Sequence, residues 1–115
     1  MALRIRAPSI DTTVRSLSGG NQQKVQVGRW LTAGTRIMLL DDPTRGVDVG
    51  ARAEIHALLS DLAASGCALL WVSSDAEELV DVADRVVVMR HGRVVGEVAA
   101  ADASEERLIS EAAGA

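Results

Sequence analysis

The sequence contains no Phe or Tyr, and its only aromatic residues besides histidine are two tryptophans. A core must therefore be built from Leu, Val, Ile and Ala. With 48% hydrophobic residues over 115 positions, the chain can bury one core of modest size. A single compact unit is expected at this length. The one cysteine, Cys67, excludes an intrachain disulfide framework and fits a reducing compartment.

Long apolar runs are also missing, and none approaches the roughly 20 residues that a membrane-spanning helix needs. The N-terminus has no signal-peptide pattern. We therefore expect no transmembrane segment, so that another chain must anchor this one if it acts at a membrane. The net charge of −4 disfavours a nucleic-acid partner, because nucleic-acid-binding modules present a basic face.

The stretch IMLLDDPTRGVDVG, residues 37–50, is the one around which the chain is organised. Its four apolar residues predict a fully buried strand, and Pro43 ends that strand. Asp41 and Asp42 then lie at the carboxyl edge of a parallel sheet, where ligands bind. Two adjacent carboxylates repel each other unless a cation, usually a metal ion, arrives. A polar turn that caps the next helix is the equally open alternative on these residues alone.

The segment SLSGGNQQKV, residues 16–25, predicts a helix start with Ser18 as its N-cap. Gly19 and Gly20 leave the backbone bare, and bare amides at a helix N-terminus form an anion site. Ordinary loop chemistry is the alternative for a lone Ser-Gly-Gly.

Together, LSGGNQQKV and LLDDPTRGVDVGA resemble the signature motif, the Walker B strand and the D-loop of an ABC-transporter ATPase. The NQQK form with PTRGVDVGA is most similar to the second nucleotide-binding domain of bacterial monosaccharide importers of the ribose, galactose and xylose type. The resemblance runs from about Leu3 to Gly96. It implies an α/β fold, a partial P-loop NTPase core with a mostly parallel sheet, flanking helices and a C-terminal hairpin.

The resemblance implies ATP and Mg²⁺ as cofactors, and a second nucleotide-binding domain and transmembrane permease subunits as partners. It places the protein peripherally at the cytoplasmic face of the inner membrane. The signature turn would contact the γ-phosphate of ATP held by the opposite domain of a dimer. The cofactor-binding residues assigned in this way are Leu17, Ser18, Gly19, Gly20, Gln23 and Asp48.

Asp41 matches the Walker B aspartate, which holds Mg²⁺. Asp42 and Ser74 are the implied catalytic positions, and both depart from the family pattern. Asp42 stands where the family usually has the glutamate that activates the attacking water. Ser74 stands where most members carry a histidine, although serine fits the sugar-importer second domains. Both departures weaken the expectation of catalysis, because general-base geometry is strict and a hydroxyl cannot replace an imidazole.

No GxxxxGK[ST] occurs in the chain, so the phosphate-cradling loop and its lysine are missing from it. The sequence therefore looks like the C-terminal half of one nucleotide-binding domain, and we predict that this chain alone does not hydrolyse ATP. Two alternatives remain, a non-transport ABC ATPase and an inert truncated module. The acidic charge and the NQQK continuation disfavour the first, and the missing loop keeps the second open.

Hydrophobic periodicity predicts helices at residues 18–33, 50–64, 76–83 and 102–112. It predicts three largely parallel strands at 37–40, 68–72 and 86–89, and a hairpin strand at 93–98. Residues 1–13 are expected to form an edge strand or an extended lead-in. In these terms one partial domain covers residues 1–115, with the signature helix within 1–33, the core in 34–100 and a terminal helix in 101–115. Trp30 is expected to pack into the core or against a neighbouring subdomain.

Overall fold

The computed structural model describes residues 3–114, which group into two compact units, one ending at Val72 and one beginning at Ser73. Met1 and Ala2, the start of the predicted lead-in, and Ala115 lie outside the described residues. The single domain over residues 1–115 stays a prediction.

The helices and strands follow the order of the sequence prediction. They are α1 (Gly19–Thr32), β1 (Ile37–Asp41), α2 (Val49–Ala64), β2 (Ala68–Val72), α3 (Ala76–Val82), β3 (Arg85–Arg90), β4 (Arg93–Ala99) and α4 (Glu105–Ala113), with 3₁₀ turns at Val14–Ser16 and Ala100–Asp102. The predicted edge strand is absent from residues 3–13, so the alternative of an extended lead-in fits that part of the chain.

Helix α1 buries one stripe of its surface. Its buried residues are Gly20, Lys24, Val27 and Gly28. Trp30 lies off this stripe and is 52% exposed, so it does not pack into the core, and the predicted alternative of a contact with a neighbouring subdomain stays a prediction. The helix presents glycines and one lysine inward, which hydrophobic periodicity does not reveal because none of them is a large apolar residue.

The first unit contains a parallel pair of strands, β1 and β2, joined through α2. Ile37 pairs with Ala68 and Asp41 with Val72, so both strands end at the same edge of the sheet. One face of this pair packs on the two helices, and Ile55 and Leu59 of α2 are fully buried there. The predicted parallel crossover is confirmed.

The other face of the β1–β2 pair is uncovered by the described residues, although the strand at residues 37–40 was predicted to be fully buried. Burial alternates along β1, because successive side chains of a strand point to opposite faces. We call the uncovered side the open face. It is formed by Ile37, Leu39, Leu70 and Val72, which are 57–73% exposed.

The second unit contains an antiparallel hairpin, β3–β4, with Val86, Val88, Val98 and Leu108 as its core. Within residues 3–114, β3 pairs only with β4, so the prediction of a third parallel strand beside β1 and β2 is wrong in this structure. An apolar run predicts a strand but does not specify its neighbour. The His91–Gly92 turn supplies one antiparallel partner directly, and both residues have the positive φ that such turns require.

In the part of the chain that the structure describes, no helix is long and apolar enough to cross a membrane.

Candidate functional site

The N-terminal turn of α1 presents hydrogen-bond donors. Ser18 caps the helix, and its hydroxyl oxygen accepts from the backbone N of Asn21 at 3.3 Å and from Asn21 Nδ2 at 2.9 Å. A hydroxyl oxygen accepts two hydrogen bonds and donates one, so its proton can still be donated to a ligand. The amides of Gly19 and Gly20 precede the first intrahelical bonds and point out of the helix end. This turn can therefore bind an anion.

The two glycines of this turn differ in their surroundings. A Cβ built on Gly19 would meet only the carbonyl oxygen of Gly46, at 3.9 Å, which is an ordinary contact. A Cβ on Gly20 would lie 2.5 Å from the Cβ of Ala51 in α2, a distance at which the backbone must shift. Gly19 is thus open to an approaching ligand, whereas Gly20 is buried between two helices.

A second helix begins beside the first. Asp48 caps α2, and its Oδ1 accepts from the backbone N of Ala51 at 2.9 Å. Both helix starts open into one cleft of about 180 Å³, which we call the helix-start cleft. Its lining includes Ser18, Gly20, Lys24, Asp48, Ala51 and Glu54. Two helix N-termini at one cleft favour a phosphate-sized anion, and the Asp48 carboxylate in the same cleft opposes it.

Lys24 and Glu54 form an ion pair at the base of this cleft. The lysine side chain is only 4% exposed, and its Nζ donates to the Glu54 carboxylate and to the carbonyl oxygen of Arg4, the latter at 3.2 Å. The hydrogen bond from Lys24, together with the charge of the same ammonium, holds the pKa of Glu54 below its usual value. The buried cation is therefore compensated within the protein. Sequence analysis missed this pair, and its only signal was a lysine on the buried stripe of α1.

The strand-edge carboxylates lie at the end of β1. Asp41 is its last residue and, two positions beyond Leu39, is on the side of the strand that forms the open face. The Asp42 amide donates to the carbonyl oxygen of Val72 at 2.8 Å, which ties the turn to the end of β2. Asp42 has a φ of 44°, a left-handed conformation that aspartate tolerates better than most residues. Asp41 and Asp42 therefore lie at the strand edge predicted from the sequence.

A second cleft, of about 300 Å³, lies beside these carboxylates, and we call it the strand-edge cleft. Gln23 and Trp30 of α1 line it together with Asp41 and Asp42. The predicted residues thus fall into two groups. Gln23 lies with the carboxylates rather than with the Ser18 turn. Leu17, which precedes the cap, accepts at its carbonyl oxygen from Gln22 Nε2 at 2.8 Å and so helps to fix the signature turn.

The described residues 3–114 contain no group of three or more His, Cys, Asp or Glu side chains that could hold a metal ion. Asp41 and Asp42 nevertheless offer the hard oxygen ligands that Mg²⁺ prefers. This ion usually binds one or two carboxylates and completes its shell with phosphate oxygens and water. The donor set therefore fits Mg²⁺ that arrives with a nucleotide.

Ser74 belongs to the second unit, where it lies exposed in the bend between β2 and α3. The neighbouring side chains hold this bend in place. The hydroxyl of Ser73 donates to Oε2 of the buried Glu78 at 2.7 Å. Asp75 caps α3 by accepting from the amides of Glu77 and Glu78. The burial of Glu78 and its bond to Ser73 were not predicted from the sequence.

Comparison with known proteins gives consistent results. The family model described as ABC transporter matches residues 3–45. The ribose import ATP-binding protein RbsA 1 of Rubrobacter xylanophilus is 49% identical over 108 residues, covering 94% of this chain and 22% of that protein. The arabinose import ATP-binding protein AraG of Pectobacterium atrosepticum is 50% identical over 109 residues, covering 95% and 22%. The chain therefore spans about a fifth of the length of these curated relatives.

Solved structures show the same likeness. An ATP-binding cassette of an ABC transporter matches with a TM-score of 0.75 at 22% identity, covering 88% of this chain and 42% of that one. A nucleotide-free ATP-binding cassette from an ABC transporter matches with a TM-score of 0.71 at 26% identity, covering 87% and 38%. The predicted fold class is confirmed.

Proposed function

We propose that this chain, which is similar to ABC transporter ATPases, is part of the ATP-binding subunit of a carbohydrate importer, in which ATP hydrolysis energises sugar uptake. The observation that carries this proposal is the helix-start cleft. There a serine cap with a proton to donate and the backbone of Gly20 line the same space as the D-loop cap Asp48. The proposed partners are a second nucleotide-binding domain and transmembrane permease subunits, with the subunit held peripherally at the cytoplasmic membrane face.

The two clefts serve different nucleotides in this proposal. The helix-start cleft offers donors, and its two carboxylates, Asp48 and Glu54, are engaged by the Ala51 amide and by Lys24, which suits a surface that clamps the γ-phosphate of ATP bound by the opposite domain. The strand-edge cleft has carboxylates and belongs to the nucleotide of this chain's own domain. In the proposal Asp41 holds Mg²⁺ there, and the ion would neutralise phosphate charge when bound.

Asp42 and Ser74 are proposed to make the chain's own site the slower of the two. Asp42 carries one methylene less than the usual glutamate, and general-base transfer depends on reach at the scale of an ångström. Ser74 can donate a hydrogen bond to a phosphate but cannot act as an imidazole. The main contribution of this chain to turnover is then the Ser18–Gly20 turn that it presents to its partner.

The test uses the full-length subunit that contains this sequence, reconstituted with its permease in liposomes. We expect ATP hydrolysis that a pentose or hexose from a defined panel stimulates through its binding protein. Gly19→Asp should abolish this stimulation, because it places a carboxylate against the γ-phosphate. A wild-type complex without ATP hydrolysis, or a Gly19→Asp complex with undiminished hydrolysis, would contradict the proposal.

A further inference from the structure

The first turns of α1 and α2 contact each other at Gly20, where the backbone of α1 lies against the Cβ of Ala51. The hypothetical Cβ of Gly20 lies 2.5 Å from the Cβ of Ala51 and 3.7 Å from Cγ1 of Val47. The Ala51 Cβ is fixed to the backbone of its helix and cannot rotate away. The absence of a side chain at Gly20 is therefore what allows the two helix starts to lie this close together.

One turn further along α1, a second contact joins the same two helices. Lys24 is four residues after Gly20 and lies on the same buried stripe, and Glu54 is three residues after Ala51. Positions three or four apart in a helix share a face. The ion pair between Lys24 and Glu54 thus continues the Gly20–Ala51 contact, and the buried ammonium depends on Glu54 and the Arg4 carbonyl oxygen for its compensation.

These two contacts lie directly behind the two capping residues, Ser18 and Asp48. We propose that Gly20, Ala51, Lys24 and Glu54 are positioning residues that hold the Ser18 turn and the Asp48 turn as one rigid clamp. The proposal rests on the proposed function, because the clamp acts on a nucleotide held by the opposite domain. A fixed spacing between the two turns lets both meet that nucleotide without further rearrangement, which is how preorganised donors lower a barrier.

The coupling itself can be measured on the 115-residue chain by amide hydrogen exchange, without any activity. Gly20→Ala, a change in α1, should raise exchange at the first turn of α2, where the Ala51 and Arg52 amides bond to Asp48, by about tenfold through local opening. Adding Ala51→Gly removes the colliding Cβ and should restore protection. Gly28→Ala is the matched control, because its new Cβ meets only the tip of the flexible Leu3 side chain. It should leave exchange at α2 unchanged.

The effect on function is measured as kcat and KM of ATP hydrolysis by the reconstituted full-length complex. Gly20→Ala should lower kcat at least about tenfold with KM unchanged, because the partner domain binds the nucleotide and the clamp acts on the barrier. Ala51→Gly in the same chain should restore most of the rate. Glu54→Gln, which keeps the shape of the side chain but removes its charge, should lower kcat in the same direction. It also tests the clamp if Gly20→Ala does not fold.

The outcomes separate this inference from the proposed function. Restored exchange together with a restored kcat supports the clamp. Failure of Ala51→Gly to restore exchange overturns it, because the two turns are then not coupled through this contact. Restored exchange without a restored kcat also overturns it, since the methyl introduced by Gly20→Ala would then be blocking the phosphate directly. A wild-type complex that hydrolyses no ATP overturns the proposed function, and the exchange data then decide whether the two turns are coupled.

Discussion

Substitution of Ser18 separates its role as a helix cap from its role as an anion donor. Ser18→Ala removes the acceptor for the Asn21 amide and should destabilise the fold by about 1 kcal/mol. Ser18→Asp keeps a capping acceptor, since aspartate caps as well as serine does. Its charge is favoured by the helix dipole and opposed by Asp48 in the same cleft. We expect the stability of Ser18→Asp to stay within about 0.5 kcal/mol of the wild type.

The two variants should behave differently towards nucleotide. A carboxylate about 4 Å from an incoming phosphate charge costs about 4 kcal/mol at the effective dielectric of a protein surface. This corresponds to about a thousandfold loss of ATPase rate. Ser18→Asp should therefore be a stable protein without clamp function. Ser18→Ala should be a less stable protein that keeps the amide donors and loses less activity.

Stability is measured by thermal unfolding of the 115-residue chain, followed by circular dichroism, and a loss of 1 kcal/mol should lower the midpoint by about 4 °C. Activity is measured in the reconstituted full-length complex. Ser104→Asp is the control, because Ser104 caps α4 in the same way, accepting from the Arg107 amide at 3.1 Å, and does not line the helix-start cleft. If Ser18→Asp and Ser104→Asp gave equal ATPase rates, the anion-site interpretation would be refuted.

Four further predictions follow from the same features. The 115-residue chain should self-associate and bind the dye ANS through its open face; a strictly monomeric, ANS-silent protein in analytical ultracentrifugation would contradict this. The same chain should show no steady ATP turnover in a phosphate-release assay, since nothing beside Asp41 cradles the phosphates. In the full-length complex Asp42→Asn should reduce ATPase far less than Gly19→Asp; equal losses would disprove the asymmetric sites. Because the pKa of Glu54 is lowered on folding, its ion pair stabilises the protein above the usual pKa of 4.5 and is lost as pH falls below it, so Glu54→Gln should flatten that part of a pH–stability curve.

Local sequence signals were sufficient for the start of α1 and for the β1–α2–β2 crossover. A serine followed by two glycines predicts a helix start, because the serine side chain can accept a hydrogen bond from a free amide of the first turn. Ser18 is the observed cap. Two apolar runs separated by a helical stripe require a crossover connection between parallel strands, and the register of β1 with β2 brings their ends together. These features depend on residues close in sequence.

Features that depend on contacts between distant residues could not be predicted in this way. The Gly20–Ala51 contact joins two helix starts 31 positions apart, and a glycine read alone indicates flexibility rather than close packing. The burial of Lys24 could not be predicted, because its partner, Glu54, lies 30 positions away. The hairpin of β3 with β4 was predicted correctly from its tight turn, whereas the parallel placement of β3 beside β1 and β2 was wrong, since an apolar run does not specify a distant neighbour.

With Asp41 as the proposed Mg²⁺ ligand, its position beside the open face links cofactor binding to assembly. In the described chain its carboxylate is exposed to water, where the dielectric constant is high and attraction to a divalent cation is weak. Any segment that packs on Ile37 and Leu39 will exclude water around Asp41 and strengthen that attraction. Metal affinity and coverage of the sheet are then thermodynamically linked, so each should increase the other by the same factor. A magnesium titration of the uncovered chain would consequently report the affinity of an unassembled site.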